Sequence, residues 1–348
     1  MSVQPFYNPA KTYDDNYREG PFGLFAEDRV LPQPTEKPLK RLLGLPVFEP
    51  FGIPAGPLLN ARFCEAAFRF GFDLAVYKTV RSAKRECLPF PNIIEVKVKG
   101  QLVSGQTVEA LSIPEHHRPN AITNSFGVPS QSPEIWQPDM KNAVHAARAG
   151  QILIGSFQGS GEGEAQVKDY IKTAQMVVET GAPVLEANLS CPNEGKKGLL
   201  CFDVDKVSAI VSGIKKAVND RPLLLKLAYF EDEALLASLV RAVGDRVEGF
   251  CAINTLQAYV VDSHGKSPLP GRDFAGICGA DIRWAGLIMT QRLAAWRDQL
   301  KLNYTIVGGG GVMAKEDYHA YINHGADAVM SATGAMWNPL LAQEIKSH

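Results

Sequence analysis

From Pro46 to the end of the 348-residue chain, short apolar runs alternate with amphipathic stretches eight times, and no other feature constrains the fold as strongly. The runs are GIPAG (52–56), DLAVYKT (73–79), QILIGSF (151–157), PVLEANLS (183–190), PLLLKLA (222–228), FCAINT (250–255), YTIVGGG (304–310) and DAVMSA (327–332). Most are apolar on both faces, as strands of a parallel sheet covered on each side must be. Helix-period stretches occupy 61–71, 139–150, 164–181, 203–218, 231–244, 280–300 and 314–325, with a last one at the C-terminus. Several end in glycine, the residue that tolerates a left-handed helix stop.

This alternation predicts an α/β fold, a (β/α)8 TIM barrel spanning 46–348. A doubly wound sheet would carry its glycine fingerprint after the first strand, and GIPAGPL lacks that spacing. Residues 1–45, rich in proline, aromatics and charge, read as an N-terminal arm or lid. IIEVKVKGQLVSGQTVEA (93–110) reads as a β-hairpin inserted after the second barrel strand.

Lysine and arginine total 36 against 37 acidic residues, a net charge of −1, which leaves no basic footprint for nucleic acid or an anionic membrane. No apolar run approaches the roughly 20 residues that cross a bilayer. Six scattered cysteines without CxxC or metal-ligand spacing fit a reduced, cytoplasmic protein with free thiols, no metal site and no iron–sulfur cluster.

In a barrel, chemistry gathers at the C-terminal ends of the strands. There the chain places Lys78 and Thr79, the turn NLSCPN (188–193), Asn254 and Thr255, GGGG (308–311), and Ala332 with Thr333; NSFGVPS (124–130) joins from a loop. GGGG alone could serve a tight turn. Its position after strand seven, with SATG after strand eight, points to a phosphate held by backbone amides. Lys226 is an isolated charge in the apolar run PLLLKLA; it either snorkels at the strand end or meets an anion, and the electron-rich edge of a reduced flavin is one such partner. Asn124, Asn188, Asn193 and Asn254 are each plain turn residues taken singly. Converging on one barrel face, they suit a flat ring of alternating C=O and N–H groups. Cys191, framed by polar residues, is either a small packing residue or a nucleophile or general base. No histidine sits at a strand end to pair with it.

NLSCPN (188–193), YKT (77–79), NSFGVPS (124–130), CAINT (251–255), FAGICGADIRWAGL (274–287), VGGGGV (307–312) and SATGAMWNP (331–339) together resemble the flavin-dependent dihydroorotate dehydrogenase family, in its soluble, cysteine-base branch. The resemblance covers nearly all of 46–348. It implies FMN across the strand ends, its phosphate on Gly310, Gly311, Ala332 and Thr333 with Gly276 nearby. Ala55, Gly56, Lys78, Thr79, Asn188 and Lys226 would line the ring and ribityl chain. The pyrimidine would be held by Lys78, Asn124, Phe126, Gly127, Val128, Asn188, Asn193, Asn254 and Thr255. Cys191 matches the base that takes the C5 proton of dihydroorotate while hydride leaves C6 for flavin N5, and Lys226 the charge that steadies the reduced ring.

The stretch after the thiol, EGKKGLLCFDV, departs from the pattern of the fumarate-using enzymes, as does Ser130. The acceptor stays open between fumarate, an electron-transfer subunit that delivers to NAD, and another soluble oxidant. The resemblance also implies a homodimer. Rival readings are a uracil- or thymine-reducing enzyme of the dihydropyrimidine dehydrogenase type, which tends to have histidine where Asn193 stands, and a tRNA-dihydrouridine synthase. A flavin- or pyrimidine-binding barrel without catalysis is the third.

Overall fold

All eight apolar runs form strands: Phe51–Ile53, Leu74–Val80, Ile152–Phe157, Val184–Asn188, Leu223–Leu227, Gly249–Ala252, Thr305–Gly309 and Ala328–Met330. Each pairs in parallel with its neighbours in chain order, and the eighth returns to the first, closing the barrel. The structure, a computed structural model, describes residues 4–31, 38, 40–113, 117–190, 199–218 and 220–347. Alternation along the strands sends Leu74, Val76, Ile152, Ile154, Val184, Leu224 and Val307 into the barrel. A short hairpin, Lys40–Leu42 against Leu45–Val47, plugs the N-terminal end with Leu42 and Val47. It spans the junction expected between arm and barrel.

Helices cover the outside at Ala61–Arg69, Pro133–Ala146, Gly163–Glu179, Val204–Ala217, Glu233–Val243, Arg283–Leu300 and Lys315–Asn323, with Leu341–Lys346 near the end of the chain. The second was expected at 139–150 and instead starts at Pro133. Proline in the first turn lacks only an N–H that the helix does not use. Trp136, Met140 and Ala143 then bury one face despite Pro138 inside the helix.

The expected hairpin is present as Glu95–Lys97 antiparallel to Gln106–Leu111, but it is not isolated. Strands Ala121–Asn124, Leu256–Val261 and Phe274–Gly279 join it in a closed five-stranded sheet beside the barrel mouth. Asn124 thus ends one strand of this second sheet, and Thr255 directly precedes another.

The N-terminal arm is ordered around Asn16. Its side-chain amide donates to the carbonyls of Asn8, Lys11 and Thr12, and its oxygen accepts from Asn8 N at 2.8 Å. Phe6 stacks on Phe25 with ring centroids 4.4 Å apart, and Phe6 N donates to Met336 O at 3.1 Å. These contacts carry Tyr7 and the helix Tyr13–Glu19 to the barrel mouth.

Candidate active site

A cleft of about 1310 Å³, including its open mouth, lies over the C-terminal ends of the strands. At its deep end the seventh strand runs into Gly310 and Gly311, whose φ values are +116° and +70°. A side chain at Gly311 would place its Cβ 2.7 Å from Arg283 Cβ, so only glycine lets the backbone turn there. The Tyr321 hydroxyl fixes this turn by donating to Gly310 O at 2.6 Å. Opposite it, Ser331 Oγ donates to Val312 O at 2.6 Å and accepts from Ala335 N at 3.1 Å. The buried Thr333 hydroxyl neighbours the Cys278 thiol. This pair of left-handed glycines, where a Cβ has no room, lets backbone amides close on an anion such as phosphate.

The middle of the cleft is cationic. Lys78 and Lys226 are 7% and 8% exposed, and no carboxylate lines the cleft among the described residues. Lys78 Nζ reaches Thr79 O at 3.5 Å, and the backbone of Lys226 accepts from Leu189 N at 3.2 Å. Thr79 Oγ1 and Ser156 Oγ are 3.0 Å apart, which ties the second strand to the third just below the opening.

The outer part is rich in amides. Asn188 Nδ2 donates to Gln158 Oε1 at 3.0 Å, and Asn188 Oδ1 accepts from Ser190 N at 3.3 Å. Asn254 Nδ2 donates to Ser190 Oγ at 3.1 Å and Ser190 O at 3.2 Å. This network orients both asparagines and leaves the Asn254 oxygen available as an acceptor. Thr255 Oγ1 is a buried hydroxyl without a partner among the described residues. The loop with Phe126, Gly127 and Val128 is held by Arg81 Nε to Val128 O at 3.1 Å and Leu88 N to Phe126 O at 3.0 Å. Arg272 braces the same loop through Ser125 Oγ at 2.6 Å.

Of the residues expected at the site, Ala55, Gly56, Lys78, Thr79, Asn124, Phe126, Gly127, Val128, Asn188, Lys226, Asn254, Thr255, Gly310, Gly311, Ala332 and Thr333 line this one cleft. Gly276 does not. It sits within its strand opposite Asn124 and Gln257, and Cys278 and Gly279 of that strand reach the cleft instead. Cys191 and Asn193 lie outside the described residues.

Sequence reasoning missed Tyr7 and Tyr13, which cross from the arm to wall the cleft. Their rings meet Phe126 edge-on, at 5.8 Å and 6.2 Å between centroids. It also missed the brace Arg272 and the cleft residue Cys251. The five described thiols are all free. Burial pushes Cys201 up to about 12 and Cys278 up to about 11. Burial likewise raises Cys87 to about 12 against the pull of Lys78, and Cys64 and Cys251 stand well above the ordinary range.

Fold and site together define a (β/α)8-barrel enzyme with a phosphate-type cradle and an amide-lined ring pocket at the C-terminal strand ends. The chain matches the family model described as dihydroorotate dehydrogenase over residues 114–348. It is 32% identical to a dihydroorotate dehydrogenase of Dictyostelium discoideum, over 98% of this chain and 96% of that one. The catalytic subunit of a dihydroorotate dehydrogenase B (NAD(+)) from Bacteroides fragilis is 25% identical over 74% of this chain and 82% of its own. In structure, a dihydroorotate dehydrogenase of Eimeria tenella solved with ferulenol superposes with a TM-score of 0.69. That likeness covers 87% of this chain and 81% of the other at 18% identity, and speaks to the fold alone. The chain belongs to the dihydroorotate dehydrogenase family and is an oxidoreductase. No helix among the described residues is long and apolar enough to cross a membrane.

Proposed function

We propose that this protein oxidises (S)-dihydroorotate to orotate in the route to UMP, using FMN. The observation that carries this reading is the division of one cleft into a glycine cradle at one end and a cationic, amide-lined pocket at the other. FMN bound there would supply the hydride acceptor.

Gly310, Gly311 and the backbone at Ala332 and Thr333 would hold its phosphate, while Ala55, Gly56, Thr79, Asn188 and Lys226 would line the ring and ribityl chain. Lys226 offers the ring a positive charge where electron density increases on reduction. Lys78, Asn124, Asn188, Asn254 and Thr255 would fix the pyrimidine, with Asn193 from the thiol turn and with Phe126, Gly127 and Val128 packed against it.

Cys191 takes the C5 proton onto Sγ. The C6–H bond gives up its hydrogen with the electron pair, and the C5–C6 double bond of orotate forms. Holding base and acceptor on opposite faces of one ring lowers the barrier by orientation. The strongly raised pKa values of the five described thiols leave none of them suited to this role. The partner that re-oxidises the site is a soluble acceptor, fumarate or an electron-transfer subunit. The working form is a cytoplasmic homodimer.

An anaerobic absorbance spectrum before and after L-dihydroorotate tests the reading. A flavin band that bleaches is expected. A band that dihydroorotate leaves unchanged, or a protein that cannot be loaded with FMN, would overturn it.

A further inference from the structure

Glu186 is fully buried inside the barrel; no nitrogen or oxygen donor among the described residues reaches its carboxylate, and the Cys251 thiol is its polar neighbour. It lies in the fourth strand, in register with Ser156 on one side and Leu224 on the other. Val184 and Leu224 point into the barrel, so two-residue alternation points Glu186, Asn188 and Lys226 inward as well. Lys226 is in register with Asn188 and with Cys251. Glu186 therefore sits one strand repeat, about 7 Å, beneath Asn188 and diagonally below Lys226.

A carboxylate buried with only a weak thiol donor beside it is strongly unfavourable unless a charge compensates it. No carboxylate lines the cleft beside Lys226 among the described residues, and Glu186 is the buried acid of the layer below. The barrel interior beneath it is built from hydrocarbon, Val184 beside Ile154 among others, so packing there does not call for a carboxylate.

We propose that Glu186 is the counter-charge to Lys226, a positioning residue that reduces the net positive charge under the cofactor and so sets how readily the bound flavin accepts electrons. It touches neither substrate nor cofactor; it acts through Lys226. The inference rests on the reading that FMN binds in this cleft. Its consequence is a flavin held less reducible than an uncompensated Lys226 would make it, which keeps electron delivery to the acceptor favourable.

The test is the midpoint potential of the bound flavin in the wild type, Glu186→Gln and Glu186→Asp. A unit charge about 10 Å away at an effective dielectric near 20 changes such an equilibrium by about tenfold. Glu186→Gln, which keeps the shape and removes the charge, should favour reduction at least tenfold, about 30 mV for a two-electron couple. Glu186→Asp should stay near wild type, and in a Lys226→Met background the effect of Glu186→Gln should shrink. A role in packing alone would give the opposite pattern, with Gln silent and Asp disturbed. An unchanged or lowered potential in Glu186→Gln overturns the proposal.

If the variants do not fold, the wild-type holoenzyme decides the matter. With 13C-glutamate labelling, its reduced-minus-oxidised infrared spectrum should show a label-sensitive carboxylate band. A label-sensitive protonated-carboxyl band, or no label-sensitive change, overturns the counter-charge. A wild type that binds no FMN would instead sink the functional reading itself, so the two failures are distinct.

Discussion

Gly286 and Tyr321 form a lock: the tyrosine hydroxyl occupies the space beside Gly286, where a Cβ would come within 1.8 Å of it, and from there it donates to Gly310 O. The helix Arg283–Leu300 can approach the glycine turn only because position 286 has no side chain. Gly286→Ala should displace the hydroxyl and slacken the cradle. Losing one hydrogen bond to a buried carbonyl costs about 1–3 kcal/mol, so FMN affinity should drop about tenfold or more. Tyr321→Phe should give the same defect more mildly, because it removes the donor without moving the helix. Equilibrium flavin titration followed by fluorescence measures both; unchanged affinity in the two variants would detach the lock from the cradle.

The thiol turn leads to the second prediction. Cys191→Ala should still load FMN, since the cradle is built from other strands. Flavin reduction by dihydroorotate should slow by about 10²–10⁴, the usual contribution of a positioned general base. Anaerobic stopped-flow absorbance reads this directly. Near-normal reduction would remove Cys191 from the role of base.

The barrel was legible in the sequence because parallel strands covered on both sides must be apolar on both faces, and such runs stand out against amphipathic helices. The site was legible for the same reason, since polar residues such as Lys226 and Asn188 interrupt those runs at their C-terminal ends. The helix at Pro133 was hidden by two prolines that read as breakers. Strands Ala121–Asn124, Leu256–Val261 and Phe274–Gly279 were hidden because they stand outside the eightfold strand–helix repeat and close a second sheet with segments as far apart as 95 and 279. Tyr7 and Tyr13 carry no local signal at all; only closure of the arm against Phe126 brings them to the cleft. Glu186 passed as one polar letter in a strand, because its isolation from nitrogen and oxygen donors is a property of the packed barrel.

Those arm tyrosines lead to the third prediction. Each edge-on aromatic contact contributes about 0.5–1.5 kcal/mol beyond burial, and both converge on Phe126. Tyr7→Ala and Tyr13→Ala should loosen the loop that packs on the pyrimidine and raise KM for dihydroorotate several-fold each. FMN affinity should hold, because the cradle lies at the other end of the cleft. Steady-state kinetics beside a flavin titration separates the two; a loss of FMN affinity with unchanged KM would place the arm at the cofactor instead.

At the opposite end of the barrel, Asp73 is fully buried, accepts from Glu49 N at 2.8 Å and pairs with Lys346 at 2.7 Å. Burial pushes its carboxyl up to about 6, against the opposing pull of Lys346 and of the Glu49 amide. The folded chain therefore holds a proton on Asp73 that the unfolded chain releases near pH 4. Stability contributed by the protonated group is fully present below about pH 4 and is lost as pH rises to about 6, a swing of about 3 kcal/mol at most. Asp73→Asn fixes the neutral form and should remove this slope. The Tm of the wild type minus that of Asp73→Asn should thus fall by several degrees between pH 4 and pH 6 and then level off. Scanning calorimetry across that window measures it. A difference that stays constant, or grows with pH, would mean that the pair with Lys346 outweighs burial and that Asp73 remains charged throughout.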